Sequence, residues 1–440
     1  MREPRLVLLI TYYFPPAGGP GVQRVLKFVK YLPEFGWEPV VLTVREGAYP
    51  SRDPTLARDL PPGVRVYRTA SWDPFAWYAR WTGKKPEEAA TVGFASAKAP
   101  DWREFLARWI RANCFLPDAR VGWVPFALWA GVRLLRRLPI RALVSSGPPH
   151  SVHLIGRALH RRFRIPWVAD FRDPWTGIDY YAELPMTGLT RRLDAYLERS
   201  VLQTASAVVT VGSFMARALR ERLERPYVVI PNGFDEADFA SDPPPPDSGD
   251  VFRLLHVGTL NAARNPESLW RALEALASED MRLEVELVGI VDASIRERLR
   301  RSGLSGRVRI SPYLPHEAAL QRMRTADALL LVINRVPGAE GIITGKLYEY
   351  IASARPVLGI GPPEGEAAQI LRQSGAGQMF DWDDVEGLKR QLRALYAAWS
   401  AGQPQAGATP EAARRYSRRA LTQELAALLD KLVEEGSCAS

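Results

Sequence analysis

A lysine and a glutamate stand close together at the start of a predicted helix over residues 345–354. Lys346 and Glu349 are three positions apart and therefore share one face of that helix. A cation beside the free N–H groups of a helix N-terminus suits a diphosphate, and a carboxylate one turn later suits the diol of a sugar or ribose. The alternative is an ordinary surface ion pair between the two side chains, which would contribute little stability.

Two turns between a predicted strand and a predicted helix offer further places for an anion. In the first, the backbone N–H groups of Gly18 and Gly19 can approach a phosphate, although the spacing does not fit the dinucleotide fingerprint. In the second, Gly258 and Thr259 end a strand and Arg264 precedes the next helix. Each turn predicts a phosphate site or, alternatively, a simple tight turn.

Short aliphatic runs alternate with longer helical patterns along the whole chain, which is typical of βα units around parallel sheets. Seven strands are predicted before residue 231 and five after residue 251, and the last predicted helix covers residues 409–435. The proline run in residues 243–249 (PPPPDSG) cannot continue a helix or a central strand. The sequence therefore predicts an α/β protein with two doubly wound, Rossmann-like parallel-sheet domains that face each other across a ligand-binding cleft.

We place the domain boundaries at the ends of these patterns. The N-terminal Rossmann-like domain covers residues 1–232, and the proline-rich linker covers residues 233–250. The C-terminal Rossmann-like domain covers residues 251–405. Residues 406–440 form a C-terminal helix and tail that we expect to pack back toward the N-terminal domain.

The composition is that of an ordinary soluble protein. The 440 residues include 47% apolar and 24% charged side chains, which excludes global disorder and fibrous repeats. The net charge of +9 divides into +13 for residues 1–235 and −4 for residues 236–440, so the N-terminal half is the one expected to meet an anionic partner. Cys114 and Cys438 cannot build a disulfide framework or a metal cage, which favours a cytoplasmic protein.

No Asp-x-Asp pair follows a core strand in either predicted domain. Residues 381–384 (DWDD) contain such a pair, but they follow a late strand and fit a helix start with acidic capping residues. We therefore expect no essential metal and no cofactor.

The order and spacing of these motifs resemble the retaining glycosyltransferases of family 4, which have the GT-B fold. The matching segments are FPPAGG, IPNGFD, HVGTL followed by RNPE, GKLYEYIASARPVL and GEAAQIL. The resemblance covers nearly the whole chain, from Leu6 to about residue 430. The segments FLPDAR, SSGPP and DFRDPW resemble a bacterial polysaccharide-assembly branch of that family.

The resemblance implies a nucleotide-diphosphate sugar held mainly by the C-terminal domain. Gly18 and Gly19 would place N–H groups near its β-phosphate, and Glu349 would hold the ribose hydroxyls. Arg264 stands where the family usually has a phosphate-binding lysine, and Lys346 would face the diphosphate. The remaining donor-binding candidates are Gly258, Thr259, Thr344, Gly345 and Leu347.

Two positions depart from the family's pattern. The first of its paired glutamates should lie at Gly341, and Glu340 is one position away. The basic residue often found after the strand glycine is here Thr259. Arg264 and Lys346 are therefore the main candidates to neutralise the departing diphosphate.

The resemblance also implies a glycan or lipid-linked acceptor bound mainly by the N-terminal domain. Retaining transfer in this fold is thought to need no covalent nucleophile, so the protein stabilises the leaving group and orients the acceptor. Asp173 or Asp170 could orient the acceptor hydroxyl, and Arg172 could bind an acceptor phosphate. Gly147 and His150 are further acceptor-binding candidates. The alternative is a structural network that pins this loop, with His150 capping or packing a helix.

Residues 72–137 hold seven of the thirteen tryptophans and eleven basic side chains against six acidic ones. Aromatic residues mixed with basic ones, as in residues 102–115 and around Arg133, Arg136 and Arg137, are typical of interfacial helices. We therefore expect the N-terminal domain to rest on an anionic membrane surface, on its cytoplasmic face, and to take a lipid-linked acceptor there. The alternative is that these aromatic residues fill the domain core.

Other functions fit the sequence less well. A nicotinamide dehydrogenase would need a true glycine fingerprint, a glycogen-phosphorylase-like enzyme would be longer, and nucleic-acid binding lacks a recognition motif. A non-catalytic protein that binds sugar nucleotides or polysaccharides with the same fold stays open because of Gly341. Turnover of a nucleotide sugar would separate that protein from an enzyme.

Overall fold

A computed structural model of the chain describes residues 5–47, 49, 51–72, 102–178, 181, 183–240 and 249–438. The chain divides into two compact units, which are unit 1 (Met1–Pro231 and Leu421–Ser440) and unit 2 (Asn232–Ala420). The division falls one residue before the predicted end of the N-terminal domain. Most of the proline run of the predicted linker lies outside the described residues.

Unit 1 is a doubly wound α/β domain. Its strands are β1 (Arg5–Ile10), β2 (Trp37–Val44), β3 (Arg65–Thr69), β4 (Ile140–Gly147), β5 (Trp167–Phe171), β6 (Ala207–Thr210) and β7 (Val228–Val229). Its helices before the last are α1 (Pro20–Tyr31), α2 (Trp102–Cys114), α3 (Val124–Arg137), α4 (Ser151–Phe163), α5 (Gly188–Thr204) and α6 (Ser213–Arg222). The sheet is parallel and has the order β3-β2-β1-β4-β5-β6-β7.

Strand β1 shows why this sheet is covered on both faces. Leu8 and Ile10 belong to one buried cluster, and Val7 and Leu9 belong to another. Successive side chains of a strand point to opposite faces, so an unbroken apolar run requires helices on both sides. Because the strands are parallel, the loops after β1, β4 and β5 emerge at the same edge of the sheet.

Unit 2 repeats this architecture with six strands. They are β8 (Phe252–Val257), β9 (Leu283–Val288), β10 (Val308–Ser311), β11 (Ala328–Val332), β12 (Val357–Ile360) and β13 (Gly377–Phe380). The helices are α7 (Glu267–Ala275), α8 (Ala293–Arg301), α9 (His316–Thr325), α10 (Gly345–Ala352), α11 (Glu366–Ser374), α12 (Val385–Ser400) and α13 (Pro410–Arg414). The parallel sheet has the order β10-β9-β8-β11-β12-β13.

The last predicted helix is interrupted. Helix α13 and the final helix α14 (Arg418–Cys438) are separated by a segment whose backbone pairs with Phe234. The Phe234 N–H donates to the Tyr416 carbonyl, and the Arg418 N–H donates to the Phe234 carbonyl. These bonds replace helical ones, so the prediction of one continuous helix was wrong. From Leu421 onward, α14 belongs to unit 1.

The described tryptophans of residues 72–137 fall into two groups. Trp123 is fully buried and donates through Nε1 to the Thr69 hydroxyl at 2.7 Å, so it fills the core. Trp72, Trp109 and Trp129 are exposed. The side chains outside the described residues are those of Trp77, Trp81 and Trp102. No helix in the described ranges is long and apolar enough to cross a membrane.

Candidate active site

The glycine turn after β8 lies directly beside the lysine at the start of α10. Gly258 has a φ of 120°, and a Cβ added there would lie 2.5 Å from the Lys346 Nζ. Gly289, with a φ of 126°, packs so closely that its Cβ would lie 2.7 Å from the Gly258 carbonyl oxygen. A side chain at Gly258 would therefore be strained and would displace the ammonium group.

The Lys346 ammonium is buried and has no hydrogen-bond partner among the described residues. Burial and the neighbouring Arg264 guanidinium lower its pKa to about 8. Since it makes no hydrogen bond to Glu349, the two do not form an ordinary surface ion pair. A buried cation without a partner is costly to keep, and such groups are characteristic of sites that bind an anion.

Arg264 brings a second cation to the same place. Its Nε donates to the Asn334 side-chain oxygen at 2.5 Å, and its Nη1 donates to the Thr259 carbonyl at 3.2 Å. These bonds hold the guanidinium near enough to Lys346 for the two charges to repel each other. A diphosphate placed here would relieve that repulsion.

Helix α10 adds its N-terminus to this site. Thr344 is the N-cap residue, but its buried hydroxyl makes no hydrogen bond within the described structure. The first N–H groups of any helix, here those of Gly345 and Lys346, lack an intrahelical partner. By contrast, the side chain of Leu347 is fully buried in the core. The Leu347 side chain is therefore not available to a donor, which corrects its predicted donor-binding role to one in core packing.

Glu349 lies one turn further along α10 and is half-buried. Burial raises the pKa of its carboxyl, and the nearby His316 opposes that shift in part. No described residue donates a hydrogen bond to this carboxylate, which leaves both oxygens for the hydroxyl groups of a ligand. Glu340, beside the position of the family's first glutamate, is exposed.

In unit 1, the turn after β1 bonds to its own surroundings. The Gly18 N–H donates to the Ser51 carbonyl at 2.9 Å. The prediction that Gly18 offers this group to a phosphate is therefore corrected. Gly19 is the N-cap residue of α1 and has a φ of 89°, a conformation that favours glycine. Gly19 thus remains the candidate of this turn.

Asp170 is buried in a structural network. Its carboxylate accepts hydrogen bonds from the Arg24 guanidinium at 2.9–3.2 Å and from the Ser146 hydroxyl at 2.7 Å. Arg24 also donates to the carbonyl oxygens of Ile230 and Pro231 at 2.9 and 2.8 Å. Asp170 therefore belongs to a structural network that pins its loop, because its oxygens accept bonds within the fold and only 1% of the residue is exposed.

Arg172 is likewise committed to the backbone. Its Nε donates to the Gly147 carbonyl at 3.0 Å, its Nη1 to the Gly21 carbonyl at 2.5 Å and its Nη2 to the Pro148 carbonyl at 2.5 Å. An acceptor phosphate would have to displace these bonds, so the predicted phosphate-binding role is corrected to a positioning role. Gly147 is required by packing, because a Cβ at this position would lie only 2.7 Å from the His153 Nε2.

The loops after β4 and β5 border a cavity of about 400 Å³ within unit 1. Its lining includes Arg108, Arg111, His150, Asp173, Trp175 and Asp194. Aromatic rings beside carboxylates and guanidinium groups provide apolar faces and hydrogen-bonding groups together. The size and lining of the cavity suit a polar small-molecule ligand such as a sugar.

His150 forms part of the aromatic wall of this cavity. Its ring stacks on Trp175 with centroids 5.0 Å apart and an interplanar angle of 10°. Burial lowers its pKa to about 3, even though the ring bonds to the Pro174 carbonyl. The neutral ring keeps a buried Nδ1 with no partner in the described ranges, and this atom can accept a hydrogen bond from a hydroxyl.

Asp173 differs from Asp170 in its environment. It lines the cavity and is exposed, and no described residue donates a hydrogen bond to its carboxylate. Desolvation raises its pKa, and the Arg172 guanidinium partly opposes this shift. Of the two predicted carboxylates, Asp173 is therefore the one that can orient an acceptor hydroxyl.

Sequence reasoning did not find Asp194. This residue is buried on α5 and accepts hydrogen bonds from the Trp175 Nε1 at 2.9 Å and from the Tyr181 hydroxyl at 2.8 Å. Burial raises its pKa to about 6. Asp194 lies among the charged residues of an ordinary helix, so neither spacing nor motif distinguishes it.

The acidic residues after β13 have local partners. Asp384 is the N-cap residue of α12, where its carboxylate accepts from the Gly387 N–H at 2.8 Å, and Asp383 pairs with Arg335 at 2.7 Å. Within the described ranges, no group of three or more His, Cys, Asp or Glu side chains is placed to hold a metal ion.

Comparison with known proteins shows which family and which solved structures the chain resembles. Residues 18–233 match the family model of the glycosyl transferase 4-like domain. Among solved structures, sucrose-phosphate synthase from Thermosynechococcus elongatus superposes with a TM-score of 0.60 at 14% identity, over 98% of this chain and 100% of that chain. HepE from Anabaena in complex with UDP superposes with a TM-score of 0.62 at 13% identity, over 97% of this chain and 99% of that chain. The lipopolysaccharide outer core galactosyltransferase WaaB superposes with a TM-score of 0.57 at 11% identity, over 97% of this chain and 99% of that chain.

These similarities confirm the GT-B fold and the predicted resemblance to family 4. Residues 18–233 are therefore similar to the glycosyl transferase 4-like domain, and the chain has the GT-B fold of these solved structures. No curated protein sequence matches the chain.

Proposed function

We propose that the protein transfers a sugar from a nucleotide-diphosphate sugar held by unit 2 to a glycan acceptor held in the cavity of unit 1. The observation that carries this proposal is the buried Lys346 ammonium, which lies near Arg264 and the N-terminus of α10 and has no hydrogen-bond partner among the described residues. Structures of HepE, which shares the fold, contain UDP and UDP-glucose, and this supports a nucleotide-sugar donor.

The proposed chemistry retains the configuration at the anomeric carbon. The bond from that carbon to the phosphate oxygen breaks, and the nucleoside diphosphate leaves with the electron pair. The acceptor oxygen attacks from the same face, and its proton passes to the leaving phosphate oxygen. Lys346 and Arg264 stabilise the charge that develops on the diphosphate, which is the kind of electrostatic contribution expected to dominate such a step.

We expect Glu349→Gln to weaken nucleotide binding about 10-fold, because the ribose hydroxyls would then donate to a neutral amide oxygen instead of a charged carboxylate. Calorimetric titration with UDP and GDP measures this change. The matched control is Glu386→Gln, since Glu386 forms a surface pair with Lys389 at the same three-residue spacing. Equal nucleotide affinity for Glu349→Gln and the wild type would remove Glu349 from the donor site.

We propose that the reaction needs no divalent metal, because Lys346 and Arg264 supply the positive charge. Transfer should therefore be unchanged after treatment with EDTA. The measurement compares the initial rate before chelation, after chelation and after addition of Mg²⁺ or Mn²⁺. Loss of activity on chelation with recovery on adding a metal would contradict this mechanism.

We propose an acceptor that is a glycan or lipid-linked glycan of cell-surface polysaccharide assembly, used at the cytoplasmic face of a membrane. The shared fold with a lipopolysaccharide outer core galactosyltransferase supports a glycan acceptor. The charge of +13 on residues 1–235 supports contact with an anionic surface. So does a groove on α3 lined by Trp129, Arg133, Arg136 and Arg137, in which the Arg133 guanidinium lies over the Trp129 ring.

A further inference from the structure

Helix α2 is oriented with its charged side inward. Arg108 and Arg111 line the cavity of unit 1. On the other side, Phe105, Trp109 and Ile110 are exposed at 54%, 39% and 38%. A surface helix of a soluble domain normally buries its apolar face, whereas the rest of the described structure leaves these side chains of α2 uncovered.

Helix α5 presents a second set of exposed apolar side chains next to the first. Leu189 and Leu193 are four positions apart and are exposed at 79% and 47%. Asn113 of α2 accepts hydrogen bonds from the Thr187 N–H and the Thr190 hydroxyl, both at 2.8 Å. These bonds join the end of α2 to the start of α5. We call Phe105, Leu106, Trp109, Ile110, Leu189 and Leu193 together the α2–α5 face.

Exposed apolar side chains are concentrated on unit 1. Of the fourteen large exposed apolar residues within the described ranges, eleven belong to unit 1 and three to unit 2. The same unit carries the basic excess of the chain and the arginine-lined groove on α3. An apolar face and a basic surface on the same domain complement an anionic lipid layer better than they complement a water-soluble protein.

We propose that the α2–α5 face inserts into the interfacial region of a lipid bilayer, so that an amphiphilic acceptor places its polar head in the cavity and its hydrocarbon chain along this face. The inference rests on the proposed function, because it takes the cavity as the acceptor site. It adds to the electrostatic contact of α3 an apolar contact that salt does not screen.

Flotation with vesicles tests this face. The test variant carries Phe105→Gln, Trp109→Gln, Leu189→Gln and Leu193→Gln. The control variant carries Ile290→Gln and Tyr313→Gln, which change exposed apolar residues of unit 2. Both are compared with the wild type on phosphatidylcholine vesicles and on vesicles that also contain phosphatidylglycerol, at 0.1 and 0.5 M NaCl.

We expect the wild type and the control to bind both vesicle types and to keep part of that binding at high salt. The test variant should lose more than about 10-fold in partitioning on neutral vesicles, since four apolar side chains that would enter the lipid are removed. Undiminished binding of the test variant to neutral vesicles would overturn the proposal. So would a wild-type dimer that the test variant converts to a monomer, because a second copy would then cover the face.

A failure of the lipid contact can be distinguished from a failure of the proposed transferase function. Release of nucleoside diphosphate from the donor to water needs no membrane, so the test variant should keep the wild-type rate of donor hydrolysis without vesicles. Retained hydrolysis with lost flotation supports the inference. Donor hydrolysis absent from the wild type would count against the proposed function, whereas the flotation result would still decide the lipid contact.

Discussion

Lys346→Ala is expected to lower kcat about 100-fold or more, which is the scale of losing one preorganised electrostatic group. The ammonium is buried beside Gly258 with no partner in the described structure, so its charge is available to the leaving diphosphate. The variant should unfold at the same temperature as the wild type or a higher one, since a buried charge without a partner costs stability. Steady-state kinetics and thermal unfolding measure the two effects.

The control and the pH profile make this prediction specific to Lys346. Lys389→Ala removes a half-buried lysine of the same unit, which pairs with Glu386, and should leave kcat unchanged. The cationic form of Lys346 is lost as pH rises through about 8, so kcat/KM for the donor should fall above that pH in the wild type. In Lys346→Arg, the fall should move to higher pH. An unchanged kcat in Lys346→Ala would remove the lysine from the donor site.

Asp173→Asn is expected to lower transfer to the acceptor about 100-fold, because an uncharged amide orients and polarises the attacking hydroxyl less well than a carboxylate. Nucleotide affinity should not change, since the side chain lies in the cavity of unit 1. The measurement uses a labelled donor with a membrane extract as the source of acceptor, together with a nucleotide titration.

Asp170→Asn provides the contrast for this prediction. Removing that charge leaves Arg24 buried without its carboxylate, and breaking such a buried pair costs roughly 3–5 kcal/mol. Asp170→Asn should therefore lower the Tm, whereas Asp173→Asn should leave it near the wild-type value. If Asp173→Asn keeps full transfer, the acceptor is oriented by other groups, such as His150.

The fold was predictable because its periodic pattern is local. Apolar runs such as Leu6–Ile10 mark buried strands, and the predicted strands are all present. The break in the last helix was not predictable, because it depends on the pairing of Phe234 with residues 416–418, far apart in sequence. Patterns along the chain carry no information on such a partner.

The candidate site was predictable where one short segment builds it. Lys346 and Glu349 lie on one helix, so their spacing alone places them together. Asp170, Arg172 and Asp173 are equally close in sequence, yet two of them bind within the fold and one faces the cavity. That difference depends on Arg24 and on the carbonyl groups of distant loops. Asp194 could not be found at all, because its partners are Trp175 and Tyr181 of another segment.

The most direct test of the proposed transferase is a screen of UDP-, GDP-, ADP- and TDP-sugars for release of nucleoside diphosphate, followed by NMR of the sugar product. We predict that one donor class is turned over without added metal, that the product retains the anomeric configuration, and that Lys346→Ala abolishes most of this release. Binding of nucleotide sugars without turnover of any of them would contradict the account and would instead define a non-catalytic sugar-nucleotide-binding protein with the same fold.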